Sequence, residues 1–368
     1  MIKILGLFPL KGNGGIGSWA RTFISTFSNE EFQLVVVDIA PEQDFTKIKG
    51  VKGVFYGIKA FVRIFHNVRK TIKENPDIRI MHTTTSSGKA TLRDYLIVRL
   101  CQKKGIKSVM HCRFGAVTEF YQGQSIWSWL FRINTKLFDQ TWVLDKRSFL
   151  FLQSIPEINN KIELTPNCIE VPNHIDIKPC DYKKVGFVGN IIPTKGIFEL
   201  IKAFENLDNE THLYIAGVGS ERDVKHMVNV IGYKMGQNIH FLGKLLNQEA
   251  VKLINSLDII CLPTYFWGEA FPISILEAMS RGKIVISCSR AAIPDMLTSL
   301  DGSLCGLLVT EKSASGIADA IKWCQKHQPE ADKMRVKAFE KAKTCYRKEV
   351  VYNIYRSNYK KLLSSVEL

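Results

Sequence analysis

Short apolar runs alternate along this chain with stretches whose apolar positions recur at helical spacing. The first series of runs is Ile2–Phe8, Phe32–Asp38, Ile78–His82, Lys107–His111, Thr141–Leu144 and Lys161–Thr165. A second series is Val185–Val188, His212–Ala216, Ile239–Leu242, Asp258–Leu262, Lys283–Ser287 and Leu307–Val309. Apolar runs separated by helical patterns predict successive βαβ units and parallel sheets covered on both faces. Glu170–Tyr182, with Pro172, Pro179 and mixed charge, has no periodicity and reads as a linker. The expected class is α/β, with two doubly wound Rossmann-like domains over residues 1–170 and 183–345. Met334–Leu363 reads as helix throughout. There is no internal repeat.

The chemistry gathers where strands run into loops. Gly268–Ile286 reads as a loop after the strand Asp258–Leu262, then a helix over Ser274–Ser280, a glycine stop at Gly282 and a buried strand. Glu269 and Glu277 bracket seven residues of it. The amides of Phe271, Ile273 and Ser274 fall in a first helical turn, where they lack carbonyl partners and favour phosphate. The two carboxylates can accept hydrogen bonds from sugar hydroxyls. Lys11–Gly17, with Gly14 and Gly15, follows the first strand and precedes a helix starting near Ser18, which places a second phosphate-friendly turn there. Gly12, Gly14 and Gly17 also fit the G-x-G-x-x-G spacing of a dinucleotide site, and Asp38 ends the second strand, so a dinucleotide is the lesser alternative for this loop. Val185–Phe204 repeats the arrangement, with Gly189, Asn190, Lys195 and Gly196 between a strand and a helix.

Composition narrows the class of partner. The chain has 368 residues, long enough for two cores, and a net charge of +15, which calls for an anionic partner. Nucleic acid is the least favoured, because no basic motif with interleaved aromatics is present. The nine cysteines form no Cys-x-x-Cys pair, which speaks against a disulfide framework or a zinc site and for a reducing compartment. Ile4–Leu10 reads as a first strand rather than a signal peptide, and no apolar run reaches the roughly 20 residues of a membrane span.

With these motifs in place, the chain resembles the retaining nucleotide-sugar glycosyltransferases of family 4, which have the GT-B fold of two Rossmann-like domains facing across a cleft. The resemblance rests on Glu269, Glu277, Ala278, Met279, Gly282 and Ile284–Ile286, and on Gly189, Lys195 and Gly196. It is dense from about 160 to 325, where Thr165-Pro166-Asn167, Ile215–Gly219 and Phe241–Leu245 add weaker matches. It implies that Lys195 holds the donor diphosphate, that Glu269 orients the donor sugar and supports the anomeric centre, and that Glu277 holds the ribose. Leu245 would face the base, and Gly14 and Gly15 the pyrophosphate. His111, at a strand end of the first domain, would contact the transferring sugar, with His82 a weaker candidate. A family arginine is replaced here by Asn190, so either Lys195 acts alone or another cation such as Arg113 substitutes. The final helix, Tyr346–Leu363, would cross back onto the first domain.

The resemblance implies sugar transfer from a nucleoside-diphosphate sugar to a glycan or lipid-linked acceptor, with retention and no cofactor. No Asp-x-Asp pair is present to hold a divalent metal on the diphosphate. A sugar-nucleotide 2-epimerase of the same architecture and a binding-only homologue are the alternatives. A location at the inner, cytoplasmic face of a membrane follows from two segments. Tyr56–Lys73 reads as a helix with Lys59, Arg63, His66, Lys70 and Lys73 on one face and Phe61, Ile64, Phe65, Val68 and Ile72 on the other. Ile126–Phe131, followed by Arg132 and Lys136, offers aromatics to an anionic interface.

Overall fold

The structure, a computed structural model, describes residues 1–11, 15–40 and 51–364. The chain divides into two compact units. The first takes Met1–Thr165 and the C-terminal residues from Tyr352, and the second takes Pro166–Val351.

In the first unit the elements follow as β1 (Ile2–Phe8), α1 (Gly15–Phe27), β2 (Phe32–Asp38), α2 (Val51–Glu74), β3 (Ile78–Thr85) and α3 (Ala90–Lys103). Then come β4 (Lys107–Cys112), α4 (Val117–Gln122), α5 (Ile126–Leu137), β5 (Gln140–Val143), α6 (Lys146–Gln153) and β6 (Ile162–Leu164). The sheet is parallel in the order β2-β1-β3-β4-β5-β6. Side chains alternate across it. Leu5, Leu7, Met81, Met110 and Val143 join an aliphatic core with Ile64, Val68 and Ile72 of α2 and Ile97 and Val98 of α3. Phe8, His82, His111 and Trp142 take the opposite parity, among the aromatic rings of α1 and the chain's last helix.

The second unit repeats the plan. Its elements are β7 (Lys184–Val188), α7 (Ile197–Ala203), β8 (His212–Ala216), α8 (Glu221–Ile231), β9 (Ile239–Gly243), α9 (Asn247–Ser256) and β10 (Ile259–Leu262). They continue as α10 (Ile273–Met279), β11 (Ile284–Cys288), α11 (Ile293–Met296), β12 (Leu307–Val309), α12 (Ala314–Lys326), α13 (Gln328–Cys345) and α14 (Lys348–Ser364). The parallel order is β12-β11-β10-β7-β8-β9. It reverses at β7, so the topological switch point, where such sheets receive ligands, lies between the carboxyl ends of β7 and β10.

Three expectations need correction. The residues read as a linker are a strap on the second unit: Val171 and Tyr182 are buried, and the Tyr182 hydroxyl donates to Asp332 at 2.5 Å. Arg335 of α13 donates to the carbonyls of Lys178 and Gly282 and pins the strap down. The single C-terminal helix is two, broken at Tyr346–Arg347, where Ile169 and Arg347 form a parallel bridge. α14 begins in the second unit, and from Tyr352 onward it belongs to the first. The Ile126–Phe131 segment is only partly presented: Ile126 and Trp129 are exposed, whereas Leu130 and Phe131 are core.

Candidate active site

The loops at the switch point are tied together by backbone. After β7, Gly189 N–H donates to the Ala216 carbonyl and Ile191 N–H to Val218, at 3.0 and 2.7 Å. Gly217 makes this approach possible, since a Cβ there would stand 1.8 Å from the Gly189 oxygen. The β7 loop then tightens into a 3₁₀ turn, Pro193–Lys195, closed by Gly196 at φ +79°. A Cβ on Gly196 would meet the Pro263 carbonyl oxygen at 2.2 Å, so the loop after β10 lies directly against this turn. Tyr265 N–H donates to the Thr194 carbonyl at 2.9 Å and fixes the two loops in register.

Lys195 and Glu269 meet in this frame. The Lys195 ammonium donates to the Glu269 carboxylate, with the lysine side chain 15% and the glutamate 8% exposed. The sequence separates them by 74 residues, and the adjacency of β7 and β10 joins them. The ammonium also lies 5.5 Å over the Phe266 ring. Glu269 is held by a turn in which its N–H donates to the Phe266 carbonyl at 3.0 Å. A half-buried lysine and a buried carboxylate at the strand ends, each neutralising the other, can receive a ligand that carries both an anionic and an electron-poor centre.

The other expected residues lie on separate elements of the two units. Phe271 is buried, its carbonyl accepts from Asn167 Nδ2 at 2.7 Å, and its ring packs edge-on to Tyr346. Ile273 and Ser274 are half-buried in the first turn of α10, after Pro272. Glu277 lies a turn further on, half-buried; burial raises its pKa, and Arg281 partly offsets this. Asn190 is half-buried just after β7, and Leu245 is half-buried in the loop after β9. Gly15 opens α1 in the first unit and is exposed, and Gly14 lies outside the described residues.

His111 is the main correction. Its place one residue from the end of β4 suggests a side chain reaching off the strand, but the alternation of the strand turns it into the sheet face. It is fully buried between Trp19, Trp142 and Tyr355. Its Nδ1 faces His82 Nε2 at 3.2 Å, and its Nε2 faces Arg113 Nη1 at 3.4 Å. A guanidinium only donates, so the order is fixed: Arg113 donates to His111, His111 to His82, and His82 Nδ1 to the Tyr359 hydroxyl at 2.5 Å. Burial, then Arg113, pushes the His82 pKa down to about 3 and that of His111 well below its usual value. Arg113 itself is buried in the first unit, 4.0 Å over the Trp19 ring.

Sequence reasoning missed the residues that frame the pair. The Tyr265 hydroxyl donates to Glu199 at 3.1 Å, and burial, then Glu199, pushes its pKa up to about 12. Lys312, at φ +60°, lies 5.2 Å over the Tyr265 ring. Arg290 pairs with Glu311 at 2.8 Å. Trp267 is half-exposed two residues before Glu269. The aromatic run Tyr265-Phe266-Trp267 at a strand end was the readable signal. Among the described residues no group of three or more His, Cys, Asp or Glu is placed to hold a metal.

Fold and site together define a two-unit α/β protein of the GT-B architecture, with a lysine–glutamate ion pair at the switch point of its second sheet. Residues 175–341 match the family described as Glycosyl transferases group 1. The chain is 28% identical to D-rhamnosyltransferase WbpZ of Pseudomonas aeruginosa over 40% of its own length and 37% of that protein. It is 26% identical to the phosphatidyl-myo-inositol mannosyltransferase of Mycolicibacterium smegmatis over 43% of each. It thus spans less than half the length of these two relatives. In three dimensions it is similar to sucrose-phosphate synthase of Thermosynechococcus elongatus, with a TM-score of 0.75 and 15% identity over 99% of this chain and 100% of the other. It is also similar to Anabaena HepE in complex with UDP and glucose, with a TM-score of 0.69 and 15% identity over the same shares.

Proposed function

We propose that the chain transfers a sugar from a nucleoside-diphosphate sugar to an acceptor hydroxyl, with retention at the anomeric carbon and without a metal. The observation that carries this reading is the Lys195–Glu269 pair at the switch point between β7 and β10. As the bond from the anomeric carbon to the diphosphate oxygen breaks, negative charge grows on the departing oxygen and positive charge on the sugar. A lysine beside the first and a carboxylate beside the second stabilise the transition state more than the ground state. Glu277 accepts from the ribose hydroxyls, and the first-turn amides of α10 and Asn190 donate to the diphosphate. The names of the relatives, a rhamnosyltransferase and a phosphatidyl-myo-inositol mannosyltransferase, support sugar transfer, and the second supports a lipid-linked acceptor. HepE, solved with UDP and glucose, supports the class of donor. The net charge of +15 suits work on the inner face of an anionic membrane.

The test is a melting-temperature panel of nucleoside diphosphates, followed by product analysis with the stabilising nucleotide's sugars, with chelator present. A true donor nucleotide raises the melting temperature with its concentration, and a glycoside forms with the donor's anomeric configuration. Stabilisation without turnover on any acceptor would leave a binding protein, the outcome that Asn190 in place of a cation would explain. Consumption of donor without acceptor would leave an epimerase. A requirement for added divalent metal would overturn the metal-free reading.

A further inference from the structure

A groove of about 950 Å³ opens in the first unit between α2 and the C-terminal end of α3, and none of the residues of the candidate active site line it. Volumes of this order take a drug-sized ligand. Its apolar wall is Phe61, Phe65, Leu100 and Ile106, with the two phenylalanine rings stacked at 6.1 Å. Its rim is Arg69, Lys70, Lys73 and Lys104, with His66 beside them. Among the described residues no Asp or Glu lines it, and Glu74, 3.8 Å from Lys70, stands outside the lining. The sequence suggests that the apolar and basic faces of α2 point opposite ways. In the structure Ile64 and Val68 pack inward, Ile72 is buried at the floor of the groove, and Phe61 and Phe65 are only half-buried and share the groove with the cations. Arg63 takes no part, since it donates to the Ala40 carbonyl at 2.8 Å.

We infer that this groove holds one anionic lipid of the bilayer, its phosphate on the basic rim and the first methylenes of its chain on the aromatic wall. Two features select this occupant. A small soluble phosphate would leave the phenylalanine wall unused, and a neutral apolar ligand would leave four permanent cations facing it. The same helix carries Phe55, Ile58 and Val62 outward at one-face spacing, each more than half exposed, which suits insertion at the level of the headgroups. The inference deepens the proposed contact with an anionic membrane. It rests on that reading for the source of the lipid and not on the chemistry of sugar transfer.

The test is titration with a short-chain phosphatidylglycerol below its micelle concentration, beside glycerol phosphate and inorganic phosphate, together with flotation on phosphatidylcholine vesicles with and without phosphatidylglycerol. The short-chain lipid is expected to bind one to one and at least about tenfold more tightly than glycerol phosphate, because each buried methylene adds affinity. Lys104→Glu, on an exposed residue, and Phe61→Ser should each weaken both lipid and vesicle binding by about tenfold. The nucleotide response of each variant, measured alongside, should stay unchanged and so reports that it is folded. Equal affinity for glycerol phosphate and the lipid would overturn the inference in favour of a simple anion site. Vesicle binding untouched by Phe61→Ser would overturn it in favour of diffuse charge attraction. Loss of all nucleotide binding in the wild type, with lipid binding intact, would sink the sugar-transfer reading and leave the groove standing.

Discussion

The two units use one strand-and-helix plan for opposite treatments of their polar groups. In the first, the polar side chains at the ends of β3 and β4 are drawn inward. His82 and His111 are fully buried, kept neutral, and chained between Arg113 and Tyr359. In the second, the loops after β7 and β10 bring a lysine and a glutamate together beside exposed residues such as Trp267 and Lys312. A neutral hydrogen-bonded chain in a dry core specifies one packing and little else. A largely buried ion pair at the strand ends is costly to desolvate, and such groups cluster at functional sites. Under the proposed function, the difference assigns chemistry to the second unit and rigidity to the buried face of the first.

The sharpest break of this comparison is at Lys195. Lys195→Ala is expected to lower turnover by about 10²–10³-fold, as for a lost transition-state donor. It leaves the Glu269 carboxylate buried without its partner, so the melting temperature should fall as well. Lys195→Met with Glu269→Gln should recover the stability and not the activity. If the double variant regains turnover, the pair is structural and the contrast between the units disappears.

Next in size is the backbone that sets the crevice. Gly217→Ala places a methyl carbon 1.8 Å from the Gly189 oxygen. The β7 and β8 loops must then separate, at a cost of about 3 kcal/mol or more. Urea unfolding of this variant against Gly15→Ala, where nothing lies within 4 Å, gives the comparison. Near-equal midpoints for the two would show that the loops do not make this approach.

The buried chain of the first unit has its own signature in acid. Unfolded histidines titrate near 6.5, whereas folded His82 titrates near 3 and His111 is also depressed. Between those values the unfolded state takes protons that the folded state refuses. Stability is therefore full above about pH 6.5 and falls as the pH drops toward 3, by up to about 1.4 kcal/mol per pH unit for each histidine. Replacing both with Gln should flatten this slope, even if the variant is weaker at pH 7. A slope that the replacement leaves intact would place the acid sensitivity elsewhere.

What the sequence shows and hides follows the same division. The strands were legible because parallel strands covered on both faces are continuous apolar runs, as in Ile2–Phe8 and His212–Ala216. The parity of His111 was not, since one position along a strand decides between a core and a crevice. The Lys195–Glu269 contact was hidden because only the sheet order joins residues so far apart in the chain. The strap over 170–182 was read as a linker because its anchors, Val171 and Tyr182, are single apolar positions without a period. The candidate residues after β7 and β10 came from the family pattern, and the composition alone would not have chosen them.

The smallest expected effect is at Glu277, and it separates binding from stability within the second unit. Burial raises the folded pKa of this carboxyl above its usual 4.5, against a smaller opposing pull from Arg281. The folded state therefore holds the proton to a higher pH than the unfolded state does. Its contribution to stability is greatest below about pH 4.5 and declines as the pH rises through the folded pKa. At neutral pH the ionised group opposes folding slightly. Glu277→Gln should thus raise the melting temperature of the ligand-free protein by about a degree, since the penalty of the ionised group is removed and the shape is kept. The same change removes an acceptor for ribose hydroxyls, so the stabilisation by a saturating nucleoside diphosphate should shrink. It should affect the binding of donor and not the turnover of bound donor, because ribose contacts are equal in ground and transition states. Melting curves with and without nucleotide, beside kcat at saturating donor, decide it. If Glu277→Gln lowers kcat while nucleotide stabilisation stays intact, Glu277 acts on the sugar being transferred and not on the ribose.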